Sequence, residues 1–169
     1  MARIDPTHGG QVTENGGAPE SVYELVTEVT SDTRISEEAQ ENRRKVIAAY
    51  EAQVAGDWDT WWDLFDDEVE FREADSLPYS ISVKGLDKAK DGVAGMLKAW
   101  SRLVFTQHEF AAAGDIVLLY GHMRATSHKT GRVYDNPVIE MFRFKNGKVV
   151  EWTAVYYDTH AVREVVGMD

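Results

Sequence analysis

The chain has 169 residues, 43% of them hydrophobic, with five Trp, seven Tyr and six Phe, which suits one compact domain with a substantial core. A formal net charge of −11 argues against nucleic acid or an anionic membrane surface as partner, and the absence of cysteine excludes disulfides, thiolate catalysis and Cys-based metal sites. With no apolar stretch of membrane-spanning length and no hydrophobic run at the start, the expected location is cytoplasmic.

Residues 1–19 hold Gly9, Gly10, Gly16 and Gly17 with Pro6 and Pro19, show no apolar period, and read as a flexible tail. Residues 20–35 hold a short amphipathic helix and a linker, because Val22, Leu25, Val26 and Val29 follow the i, i+3, i+4, i+7 template. That helix either docks on the domain or a second subunit, or is a frayed extension. The domain proper is expected over 36–169. Ser36 followed by Glu37 and Glu38 is an N-cap signal for a helix to about Ala55 that buries Val46, Ile47, Tyr50 and Val54. Gly56-Asp57 breaks it. Asp57 then caps a second helix carrying Trp58, Trp61, Trp62, Leu64 and Phe65, with Trp61, Leu64 and Phe65 inward and Trp58 or Trp62 free to reach a pocket wall.

A strand over Glu68–Glu73 follows, then a loop from Ala74 to Val83, then a third helix from about Asp87 with Val93, Met96, Leu97 and Trp100 at helical spacing. Strands are expected over 102–112, 115–128, 131–145 and 147–160, separated by Gly114-Asp115, Thr130-Gly131 and Asn146-Gly147. Asn-Gly between alternating runs is the strongest short hairpin signal. The fold class is α+β: a cone-shaped, curved antiparallel sheet packed against three helices around a central pocket, with an N-terminal extension.

Two acids stand out against this pattern. Strand side chains alternate faces, so Glu73 shares a face with Val69 and Phe71, and Glu140 with Val138, Phe142 and Phe144. A carboxyl group in an apolar pocket has its pKa raised and becomes useful for moving protons. The structural alternatives are a charged strand end for Glu73 and, for Glu140, a buried acid satisfied by Arg143 or a backbone amide. Tyr134 and Asn136 fall on Glu140's face, where they either orient substrate or pack across strands. Tyr79 sits on the loop expected near the mouth. Asp158 either lines the rim or caps a turn. Among His108, His122 and His128, His122 is best placed for a pocket, following Ile116, Leu118 and Tyr120 in alternation. No His/Asp/Glu spacing matches a metal constellation, so no metal is expected.

Three local pieces carry a family resemblance: Ala55-Gly56-Asp57, Leu64-Phe65-Asp66-Asp67, and Ile139-Glu140-Met141-Phe142-Arg143-Phe144 followed by Gly147-Lys148-Val149-Val150. In order and spacing, residues 40–160 resemble the nuclear-transport-factor-2-like superfamily, which includes ketosteroid isomerase and the SnoaL-like polyketide cyclases. The resemblance implies that Glu73 stands at the isomerase's proton-abstracting acid and Glu140 at its neutral, oxyanion-binding acid. It places Ala49 at the oxyanion-binding tyrosine, with Tyr50 one residue, about 100°, further around the helix. It also implies a homodimer joined through the sheet's outer surface.

The expected function is therefore cofactor-independent proton transfer, as isomerase, cyclase or lyase, on a small apolar molecule with a carbonyl or phenol-like oxygen. Glu73 and Glu140 are the candidate catalytic pair; Tyr50, Tyr79, His122, Tyr134, Asn136 and Asp158 are the candidate binding residues. The alternative is a non-catalytic ligand-binding or subunit-association module of the same fold.

Overall fold

Ser36 caps the first helix, α1 (Glu37–Val54), its hydroxyl accepting from the Ala39 N–H at 3.1 Å while Glu37 and Glu38 occupy the first turn. It opens the part of the chain that the computed structural model describes, residues 35–168. The expected tail and the 20–30 helix lie outside the described residues. Asp57 caps α2 (Trp58–Asp63), accepting from the Thr60 N–H at 3.0 Å. This helix stops two residues short of the expected Phe65. The Leu64 carbonyl accepts from the Val149 N–H at 3.0 Å, and Phe65 opens β1 (Phe65–Arg72), so strand pairing overrides helical continuation.

Three other boundaries differ from expectation. The stretch expected as a loop contains β2 (Ser82–Lys84), too short for a readable period, paired antiparallel with β1. The third helix, α3, covers Leu86–Leu97, and Trp100 begins β3 (Trp100–Ala113) instead of ending the helix. After β4 (Ile116–Ser127), β5 (Val133–Lys145) and β6 (Lys148–Tyr156), the expected continuation of the last strand to 160 is replaced by α4 (Thr159–Val166). Asp158 accepts from the Ala161 N–H at 2.9 Å and Gly167 closes the helix at φ 74°, so start and stop chemistry are both present.

The six strands run in the order β2-β1-β6-β5-β4-β3. Every neighbouring pair is antiparallel except β1 and β6, which are parallel, so the expected antiparallel sheet is in fact mixed. The sheet does not close, and β2 and β3 are its edges. Its inner face carries Val69, Phe71, Leu119, Met123, Val138 and Phe142, packed with Val46, Tyr50 and Trp61 of the first two helices. The outer face exposes Leu118, Tyr120, Ile139 and Val155, the surface to which the family resemblance assigns subunit contact. Among the described residues no helix is long and apolar enough to cross a membrane.

The β5–β6 hairpin turns at Asn146 (φ 53°) and Gly147 (φ 79°), the left-handed pair a tight two-residue hairpin requires. Its register starts as Lys145 with Lys148 and Phe144 with Val149, then slips by one so that Arg143 meets Glu151. This bulge turns Trp152, Ala154 and Tyr156 toward the inner face.

Candidate functional site

Glu140 pairs with Leu119 on one side and Ala154 on the other, and strand alternation turns it inward. Arg72 pairs with Thr153, so continuing the parallel register by one residue sets Glu73 beside Ala154. The two acids thus occupy one row across three strands, separated by a methyl side chain. Two strand spacings put their backbones about 10 Å apart.

Both acids are buried, with Glu73 7% and Glu140 9% exposed. The Tyr50 hydroxyl donates to Glu140 Oε2 at 2.5 Å, and the Trp152 indole N–H donates to the same oxygen at 2.9 Å. Oε1 has no donor among the described residues. Burial pushes the Glu140 pKa up, and the Tyr50 and Trp152 hydrogen bonds pull it only partly back. Arg143, the alternative partner suggested by sequence, points outward to Glu151 at 3.0 Å and Asp115 at 3.1 Å. Among the described residues no arginine charge therefore holds Glu140 ionised.

Glu73 Oε1 accepts from the Tyr156 hydroxyl at 3.1 Å, while Oε2 is buried without a partner among the described residues. Burial raises its pKa to about 7; the Tyr156 bond opposes that rise, and nearby Glu140 adds to it. Burial also holds the Tyr50 and Tyr156 hydroxyls well above ordinary phenol values, so both remain protonated donors.

A cavity of about 300 Å³ opens at the Glu140 end of this row. Its deep wall includes Glu140, Tyr50, Trp152 and Tyr156, while the exposed Val54, Trp58 and Leu97 stand at its rim. Val54, expected in the core, is 81% exposed because it ends α1 at this opening. Glu73 does not line the cavity, but its hydrogen-bond donor Tyr156 does.

The remaining candidates separate cleanly. Tyr50 joins the site, although the family match had set Ala49 in that place. Tyr134 is buried beside Tyr156, ring centroids 6.3 Å apart, its hydroxyl pushed up to about 12 by burial. Asn136 is half-buried on the inner parity of β5, outside the cavity wall. Tyr79 is half-buried with its ring edge-on to Trp100 at 6.0 Å, so it does not form the mouth. Asp158 caps α4. His122 is on the outer face, 2.5 Å from Asp135, which also pairs with Arg124. Both faces of β4 are apolar here, so the run Ile116, Leu118, Tyr120 belongs to the outer face, while Val117, Leu119 and Met123 are the buried series. Among the described residues no group of three or more His, Asp or Glu could hold a metal ion. Sequence reasoning missed Trp152 and Tyr156, because an unbroken Asn-Gly hairpin register would have paired Glu140 with Thr153 and turned both outward.

Helices laid over a curved, unclosed mixed sheet define the nuclear-transport-factor-2-like fold. The sequence matches the SnoaL-like domain over residues 46–152, and the chain belongs to that family. An NTF2-like protein of unknown function from Burkholderia pseudomallei is 21% identical, covering 75% of this chain and 97% of its own, with a TM-score of 0.69. A protein assigned as a SnoaL-like polyketide cyclase, from Jannaschia, is 17% identical over 79% of this chain and 96% of its own, also at 0.69. TerC, crystallised with polyporic acid, is 18% identical over 75% of this chain and 98% of its own, at 0.67. At these identities the likeness is one of fold. No curated protein matches the sequence.

Proposed function

We propose that this domain is an acid–base enzyme that moves a proton on a small, largely apolar molecule bearing a carbonyl or phenol-like oxygen. The carrying observation is the way Glu140 is held. Two donors converge on Oε2, which suits the carbonyl oxygen of a neutral acid, and leave Oε1 to carry the proton. From there it donates to an oxygen on which negative charge develops. Glu73, poised near neutrality, accepts the proton the substrate gives up. Isomerisation, cyclisation and elimination all contain this step, and it needs no redox partner.

The apolar cavity wall supports an apolar substrate. Among the structural neighbours, one is assigned as a polyketide cyclase and another holds polyporic acid, which fits oxygenated substrates of this kind. Removing one oxyanion donor costs on the order of 10²–10³ in rate, so the reading places a large demand on Glu140.

Trp61 and Trp152 line the cavity, so their fluorescence should report occupancy by a panel of substituted phenols, which mimic an enolate oxygen. Affinity should rise with phenol acidity in the wild type, and that dependence should flatten in Glu140→Gln. Saturable binding indifferent to both acidity and the substitution would instead describe a non-catalytic binding module, a reading favoured by the absence of Glu73 from the cavity wall.

A further inference from the structure

Only one of the two buried acids reaches the cavity. Where Glu73 would have to emerge, the wall is formed by Tyr156. A phenol has one proton to give, and Tyr156 gives it to Glu73 Oε1. The buried Tyr79 hydroxyl lies beside Tyr156 and claims one of the oxygen's two lone pairs, which leaves the other to accept a hydrogen bond from within the cavity. Tyr156 and Glu140 are diagonal neighbours on the inner face, since Glu140 pairs with Ala154, two residues before Tyr156. Such diagonal pairs are roughly 7–8 Å apart along the backbone, a gap that one small conjugated ligand can span. The cavity's deep wall thus offers a donor at Glu140 and an acceptor at Tyr156.

We infer that Tyr156 is the residue that touches substrate on the base side, relaying a hydroxyl proton to Glu73, and that the substrate class carries an enol or phenol O–H conjugated to the oxygen held by Glu140. This rests on the proton-transfer reading of the site. In the step, the ligand O–H bond breaks and its proton passes to Tyr156 Oη as the Tyr156 proton passes to Glu73 Oε1. Tyr156 ends as it began. Glu73 becomes a neutral acid, and the ligand becomes an enolate or phenolate whose charge spreads to the oxygen facing Glu140. The groups that face Glu73 are Tyr156 from β6, Glu140 from β5, and Tyr79 with the Ile81 backbone from the segment before β2. With Oε2 unpartnered, the carboxylate is poorly stabilised as an anion, which favours taking the proton.

The test is calorimetric titration of 2-naphthol and of 2-methoxynaphthalene, which lacks the O–H, at about pH 5.5 and pH 8. These conditions straddle the Glu73 pKa of about 7. The wild type should bind 2-naphthol about tenfold more tightly at the higher pH, as ionised Glu73 draws the Tyr156 proton, and should bind the ether equally at both. Tyr156→Phe, which keeps the ring, should abolish the preference for naphthol over the ether. Glu73→Gln should abolish its pH dependence. A naphthol preference that survives in Tyr156→Phe overturns the relay, as does a wild type that treats the two probes alike. Either result leaves the acidity dependence at Glu140 standing. Failure of both probes to bind saturably overturns the relay and the proposed function together.

Discussion

Tyr50 and Trp152 determine how readily Glu140 holds its proton. Each hydrogen bond stabilises the charged form and draws the pKa down against burial. Tyr50→Phe keeps the ring that packs edge-on against Trp61 at 4.8 Å but removes the shorter of the two bonds. The Glu140 pKa should then rise further, read by NMR of the labelled carboxyl carbon, and stability should fall by about 1–3 kcal/mol, read by urea unfolding. A downward shift would mean that Tyr50 does not donate to Glu140. Position 50 also shows where sequence was legible. The helical period of Val46, Ile47 and Tyr50 put this tyrosine on the buried side, whereas the ungapped family match favoured Ala49, one step out of phase. Glu73 and Glu140 were readable for a related reason: among Val69, Phe71, Val138 and Phe142, each breaks an apolar face. Nothing in the sequence says that Glu73 stays behind Tyr156, because that depends on which side chain fills the cavity wall.

Elements carry information that single positions do not, and the bulge in β6 is the main case. It converts the outward set Glu151, Thr153, Val155 and the inward set Trp152, Ala154, Tyr156 from what a simple hairpin dictates. Both sets contain apolar residues, so the pattern could not announce the slip. The α4 caps, by contrast, are present in the sequence as Asp158 and Gly167, although the apparent strand over 147–160 runs across the first of them. A second close fit lies between β4 and β3. A Cβ added to Gly121 would come within 2.7 Å of the Phe105 ring and 3.0 Å of the Thr106 carbonyl. Backbone cannot yield easily, so the ring must move, and Phe105 forms part of the cavity wall. Gly121→Ala should therefore cost about 1–3 kcal/mol in urea unfolding and weaken phenol binding, while the smaller Phe105→Leu should recover part of both when combined with it. Unchanged binding together with unchanged stability would mean that β3 shifts freely at this edge.

At the scale of the whole molecule, the buried acids set how stability depends on pH. The Glu73 pKa rises from an ordinary 4.5 to about 7 on folding. Between those values the folded state holds a proton that the unfolded state has released, so stability must fall as pH rises through this window. The stabilisation is complete below about pH 4.5 and lost above about pH 7. At about 1.4 kcal/mol per pH unit, the change is on the order of 3 kcal/mol. Glu140 acts in the same direction. The net charge of −11 adds self-repulsion as carboxyls ionise, but wild type and a single-site variant share nearly all of it. Their difference therefore isolates one acid. Glu73→Gln is neutral at every pH, so its urea midpoint should gain on the wild type from pH 5 to pH 8 and level off once Glu73 is ionised. Curves that stay parallel across this range would mean that Glu73 titrates as an exposed carboxyl. Such an acid would carry no stored cost of ionisation and would have little tendency to take a proton through Tyr156. The stability profile and the proton-accepting role thus stand on the same burial, and one set of unfolding curves bears on both.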